Sequence, residues 1–209
     1  MKPFAEARLY GIVDLGYVPV AGAPAAAERL IAGGADVIQL RAKNFDIAQI
    51  GALASAIHVL TSAAGIPLII NDHPQLLRDV PAEGVHVGQD DMSVDAARAA
   101  AGRECIVGKS THSLEQAKAA AAEGADYIGF GPLFATPTKP GRPAIGLRDI
   151  AKVHTAVNVP IFCIGGIKLS NLAEVLAAGA KRIVIVSGWL QATDISDAVR
   201  TAAGILEKK

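Results

Sequence analysis

Asp90 and Asp91 stand side by side in HVGQDD (86–91), and Asn71 and Asp72 close PLIIND (67–72). Shortly before them, QLRAK (39–43) sets Arg41 and Lys43 two residues apart. Carboxylates next to cations, in a chain this apolar, suit one chemistry in particular. Magnesium is held by one or two carboxylates and leaves its other positions to water and substrate phosphate. Basic side chains alongside would take the phosphates, so the set is what a diphosphate site needs. A plainer role is open to each acid. An aspartate just after a strand often caps the next helix, and Asp91, directly ahead of the run from Ser93, could do so. His86 reads either as a hydrogen-bonded interior histidine or as a catalyst.

The elements that must position these groups follow from periodicity. Short β-rich runs recur at LYGIVD (9–14), VIQLRA (37–42), PLIIND (67–72), GVHVG (84–88), CIVGKS (105–110), YIGFGP (127–132), PIFCIGG (160–166) and RIVIVS (182–187). Helical stretches lie between them, including 46–64, 113–123 and 170–178. Ser113, with Gln116 three residues on, and Ser170, before Asn171-Leu172, mark two helix starts. AGGADVIQL, AEGADYIGF and AAGAKRIVI repeat one junction: helix end, glycine turn, strand. The strands are too apolar to have a wet face, so they are parallel and covered by helices. Eight strand–helix units in 209 residues predict a single (β/α)8 TIM barrel over 1–209. A doubly wound sheet would show a Gly-x-Gly-x-x-Gly turn after its first strand, where this chain reads VDLGYVP.

Composition narrows the partners. Lysine plus arginine balance aspartate plus glutamate at 20 each, so no overall field favours nucleic acid or an anionic membrane. MKPFAEARLYG has no signal-like apolar segment, and no uninterrupted apolar run reaches the roughly 20 residues of a membrane span. A cytoplasmic protein acting on small molecules is expected; a homodimer stays open. Cys105 and Cys163 sit in apolar runs and read as small buried hydrophobes in a reducing compartment.

In a barrel the active site lies at the C-terminal strand ends. On a period of two, Gln39, Arg41 and Lys43 share the face toward the mouth, while Ile38, Leu40 and Ala42 face the helices. Strand five ends in GKSTH (108–112), bringing Ser110 and His112. LFATPTKPGRPAIGL (133–147) is long and proline-rich, so it reads as a lid whose donors are Thr136, Thr138 and Lys139, or else as a stiff surface loop. Gly165-Gly166-Ile167 and Val186-Ser187-Gly188 follow strands seven and eight, where this fold repeatedly binds phosphate through backbone N–H groups.

Together QLRAK, ND (71–72), HVGQDD, GKSTH, GFGPLFATPTKPG (129–141), GGI (165–167) and VS (186–187) resemble the thiamine-phosphate synthase family, in its order and over nearly the whole chain. The resemblance implies a barrel that joins a hydroxymethylpyrimidine diphosphate to a thiazole phosphate and releases pyrophosphate. It further implies that Gln39, Arg41, Lys43, Asn71, Ser110 and Lys139 bind the pyrimidine diphosphate, with Arg41, Lys43, Ser110 and Lys139 acting in catalysis. Asp72 and Asp91 would hold Mg2+. Thr136, Thr138, Gly166, Val186 and Ser187 would hold the thiazole phosphate; Leu40, Ala42 and Pro137, inside the same motifs, are counted with the binding set. The chain departs from the family pattern at Ala42, where an acid is usual, at Ala135, and at Lys109, which is expected to add a cation near the diphosphate. Two rivals remain: an aminothiazole tautomerase of the same barrel type, using His112 in proton transfer, and a silent phosphate-binding barrel.

Overall fold

The computed structural model describes residues 3–136, 138 and 141–207. Eight parallel strands close into a barrel in chain order: β1 Leu9–Asp14, β2 Val37–Arg41, β3 Leu68–Asn71, β4 Gly84–Val87, β5 Ile106–Thr111, β6 Tyr127–Phe130, β7 Ile161–Cys163 and β8 Ile183–Ile185. β8 returns to β1, with Leu9 opposite Ile183. Around them run α1 Ala23–Ala32, α2 Ile47–Ala64, α3 Val94–Ala101, α4 Leu114–Ala122, α5 Ile150–Ala156, α6 Leu172–Ala177, α7 Ser187–Leu190 and α8 Ile195–Glu207. The fold is the expected (β/α)8 barrel. After β3 a short 3-10 turn, Pro74–Arg78, stands in for the helix.

Expected and observed elements differ mainly at their ends. Asp46 and Ser113 cap α2 and α4 by accepting Gln49 N–H and Gln116 N–H. The sixth helix starts later than Ser170 suggests, because Asn171 accepts Lys168 N–H with its side chain and holds the chain in a turn first. β7, three residues against the seven of PIFCIGG, falls furthest short of expectation. Gly165 and Gly166 turn to φ 98° and 66°, which ends the strand. α2 carries no charge over its 18 residues, but its inner stripe, Ile50, Leu53, Ala54 and Ile57, is buried against the barrel.

The repeated junction has a structural purpose at the N-terminal end of the barrel. Asp36 Oδ2 accepts the N–H groups of Arg8 and Leu9 at 2.8 and 2.9 Å, tying the entry of β2 to that of β1. Asp126 does the same for Val107, and Glu83 for Leu68. In the last copy Lys181 stands where the other two have the acid, and the next residue, Arg182, donates to the Ala5 and Ala7 carbonyls. Each carboxylate satisfies backbone donors that would otherwise be unpaired at the strand start.

Inside the barrel, the floor is aromatic. Phe4 closes the N-terminal end and packs 4.9 Å from the Tyr127 ring; Tyr10 and Phe162 complete the cluster. Tyr127 fits because β5 has glycine opposite: a Cβ on Gly108 would lie 2.0 Å from Tyr127 Cζ. Above that floor lies a cavity.

Candidate active site

The cavity opens at the C-terminal end of the barrel and leaves about 80 Å³ for the centres of water-sized molecules. Gln39, Arg41, Asn71, Ser110, Thr136, Thr138, Gly166, Val186 and Ser187 line it, together with His86 and His112. These residues come from seven separate segments, and only barrel closure brings them to one volume. Leu40 and Ala42 are buried and do not line it. Pro137 and Lys139 lie outside the described residues.

Strand alternation places the basic residues. Gln39 and Arg41 point inward, and the guanidinium is held by a carboxylate that the sequence reading passed over: Arg41 Nη1 donates to Asp14 Oδ2 at 2.7 Å. Asp14 ends β1 directly opposite Arg41 in the β1–β2 register. Asp14 is only 2% exposed, and its other oxygen accepts Gly16 N–H at 2.9 Å, so both oxygens are engaged. Arg41 is thereby fixed in the cavity wall. Lys43, one turn of the pleat further out, is half exposed and pairs with Asp72.

The two acids proposed for a metal end adjacent strands. Asp72 follows β3 and takes the left-handed conformation, φ 66°, with its N–H donating to the His86 carbonyl. Asp91 follows β4, and its Oδ2 accepts Gly88 N–H at 2.6 Å. Helix capping does not employ it: Ser93 caps α3 by accepting Ala96 N–H at 3.1 Å. Asp90 turns outward to Arg142, 2.7 Å away, and so ties the loop after β4 to the lid. Asp72 and Asp91 offer hard oxygen donors from neighbouring strand ends. Among the described residues no group of three or more His, Cys, Asp or Glu forms a metal cluster. The pair fits an ion that keeps water and phosphate in its other positions, as magnesium does, and not a closed zinc-type site.

Lys109 requires a correction. Its ammonium donates to Glu123 Oε2 at 2.9 Å, at the end of α4, on the helix side of β5. Period-two alternation explains this, since Ser110 faces the cavity and its neighbour must face away. Lys109 adds no cation to the mouth.

Two histidines complete the wall. His112 Nδ1 contacts the Gly131 carbonyl, which can only accept, so the hydrogen sits on Nδ1. His86 bonds on both nitrogens, to Tyr127 Oη at 3.0 Å and Ser110 Oγ at 2.9 Å. It is a hydrogen-bonded interior histidine that also reaches the cavity. The loop after β6 is tied to the turn that follows β1: Tyr17 and Thr138 hydroxyls meet at 2.9 Å. Gly165 and Gly166 have a packing reason to lack side chains. A Cβ would approach Pro132 Cα to 2.4 Å and Phe134 Cβ to 2.6 Å, so the loop after β7 presses directly on the start of the lid. Burial pushes the Cys163 thiol up to about 12, which suits a packing residue and not a nucleophile.

The family model for thiamine monophosphate synthase matches residues 9–189. The chain belongs to this family. A thiamine-phosphate synthase of Chloroflexus aurantiacus is 43% identical over 92% of this chain and 89% of its own. One from Thermus thermophilus is 45% identical over 83% of this chain and 84% of its own. Among solved structures, the thiamine phosphate pyrophosphorylase of Pyrococcus furiosus is 31% identical, with a TM-score of 0.88 over 98% of this chain and 97% of that one. The barrel described above is that of a thiamine monophosphate synthase family member, a transferase of thiamine biosynthesis. Asp14, Tyr10, Tyr127 and Phe162 are among the cavity and near-cavity residues that sequence reasoning missed, as are the apolar Ile12, Ile164 and Val184.

Proposed function

We propose that the cavity joins hydroxymethylpyrimidine diphosphate to hydroxyethylthiazole phosphate and releases pyrophosphate. One observation carries the reading: donors suited to two anions, from six segments, line a single cavity beside a pair of strand-end carboxylates. Gln39, Arg41, Lys43, Asn71, Ser110 and Lys139 take the pyrimidine diphosphate. Thr136, Thr138, Gly166, Val186 and Ser187 take the thiazole phosphate, largely through backbone N–H groups in the loops after β7 and β8. Leu40 and Ala42 contribute main chain only, because their side chains are packed away from the cavity. Asp72 and Asp91 hold magnesium, which when bound supplies Lewis-acid neutralisation of the leaving pyrophosphate.

The chain's own residues do the rest. Arg41, pinned by Asp14, and Lys43 meet negative charge that grows as the carbon–oxygen bond breaks, so they stabilise the transition state more than the bound substrate. An electron-rich aminopyrimidine supports the developing methylene cation, and the buried aromatic floor excludes water that would otherwise capture it. The thiazole nitrogen, positioned by its phosphate, then forms the new bond. No side-chain nucleophile is required. A cytoplasmic location belongs to the same proposal, since phosphorylated substrates do not cross a bilayer unaided.

The test is pyrophosphate release from the two substrates, with magnesium and with chelator. Asp91→Ala and Lys139→Ala are each expected to abolish turnover while circular dichroism stays that of the wild type. Wild-type kcat in either variant would overturn the assignment.

A further inference from the structure

A chain of hydrogen bonds crosses the barrel beneath the cavity. Gln39 Nε2 donates to Tyr10 Oη at 2.8 Å, and the Tyr10 and Tyr127 hydroxyls are 2.8 Å apart. Tyr127 Oη lies 3.0 Å from His86 Nδ1, and His86 Nε2 lies 2.9 Å from Ser110 Oγ. Tyr10 and Tyr127 are 2% and 1% exposed, and burial raises both phenols well above their ordinary range, so each keeps its one hydrogen. A buried hydroxyl hydrogen without an acceptor is costly. Polarity set at one end of such a chain therefore propagates to the other.

With the Gln39 nitrogen on Tyr10, every link has one direction. Tyr10 receives from Gln39 and donates to Tyr127. Tyr127 donates to His86 Nδ1. Neutral His86 must then carry its hydrogen on Nε2 and donate to Ser110 Oγ, which turns the Ser110 hydrogen toward an acceptor other than His86. At the opposite end, among the described residues nothing donates to Gln39 Oε1, and the Gln39 side chain lines the cavity. If the amide were reversed, all four links would reverse with it, and the cavity would see a donor at Gln39 instead. One glycine makes room for the chain: a Cβ on Gly108 would strike the Tyr127 ring at 2.0 Å.

We propose that this relay sets the donor–acceptor code of the pyrimidine pocket: an acceptor at Gln39 and a donor at Ser110. The code selects a ring with an exocyclic amino group and a phosphorylated arm, and rejects the ring in which an oxo group replaces the amine. The inference rests on the reading that the pyrimidine lies against Gln39 and Ser110. Tyr10, Tyr127 and His86 are positioning residues, acting through those two.

The tautomer is measurable without any substrate. In the full-length resting enzyme labelled with nitrogen-15 histidine, NMR at neutral pH should find the His86 hydrogen on Nε2, with Nδ1 bare. In Tyr127→Phe, Nδ1 loses its donor, and the spectrum should move to a mixture of tautomers. A hydrogen on Nδ1 in the wild type overturns the relay, whatever the activity. Selectivity is the second readout: the aminopyrimidine alcohol and its oxo counterpart serve as calorimetric probes. The wild type should prefer the amino probe, and Tyr10→Phe, which frees the Gln39 amide to turn, should cut that preference about tenfold or more, as loss of a buried hydrogen-bond match does. An unchanged preference in Tyr10→Phe also overturns the proposal. If neither probe binds, the pyrimidine site assignment fails, and the tautomer experiment still decides the relay.

Discussion

Replacing Asp14 by alanine strands a charge inside the wall of the cavity. In the wild type the carboxylate is buried and lies 2.7 Å from Arg41 Nη1, while Arg41 itself is only 15% exposed. Water reaches the guanidinium too little to take over from the missing carboxylate. Removing one partner of a buried ion pair costs about 3–5 kcal/mol. Gly16 N–H loses its acceptor as well, which in a partly wet loop adds about 1 kcal/mol. Arg41 can relax toward the cavity, so we expect a net loss of about 3–4 kcal/mol, near the lower end of the buried-pair range. In a chain of this size each kcal/mol lowers Tm by about 2–4 °C, giving a fall of roughly 6–16 °C. Urea unfolding followed by circular dichroism gives the stability directly. A double-mutant cycle with Arg41→Met, which removes the stranded charge, should show a coupling of about 2 kcal/mol or more. In steady-state assays Asp14→Ala should also lose kcat, because Arg41 is no longer held where the leaving group departs. A Tm unchanged from the wild type, or a coupling indistinguishable from zero, would refute the account of Asp14 as the anchor of Arg41.

Gly108→Ala forces a methyl group against the Tyr127 ring, which Phe4, Tyr10 and Phe162 hold in place; overpacking of this kind costs about 1–3 kcal/mol, and urea denaturation should show it alongside a drop in kcat. Lys109→Met should leave kcat and both KM values as they are. Its partner Glu123 has a side chain 42% exposed, so the stability change should stay within about 1 kcal/mol. His154 supplies a pH limb. Burial first, then repulsion from Lys181 and Arg182, lowers it from 6.5 to about 4. Between those values the unfolded chain binds the proton and the native one does not, so stability is complete above about pH 6.5 and falls as pH drops toward 4. Discounted for its partial solvent exposure, the loss is about 1–2 kcal/mol, and His154→Leu should flatten that part of the stability–pH curve measured by denaturant titration.

What the sequence made legible depended on whether the governing contact was local. Period-two alternation put Gln39 and Arg41 on the cavity face of β2 because side-chain direction in a strand is a property of neighbours. The same rule applied to GKSTH sends Lys109 outward once Ser110 is taken as inward, so its position by Glu123 was recoverable from the chain itself. Asp14 was not recoverable in that way. Its partner is 27 residues distant, and the meeting depends on the β1–β2 register, which sets Asp14 opposite Arg41 only after both strands are paired. Tyr10 and Tyr127 are separated by 117 residues and lie on strands that are not neighbours, so their hydroxyl contact exists only because the sheet closes and leaves room beside Gly108. The groups that face the cavity were thus readable from strand phase, whereas the groups that hold them in place come from closure. A barrel separates the two kinds of information for a physical reason: its mouth is built from strand ends, which local pattern predicts, and its interior from residues meeting across the axis, which no local pattern specifies.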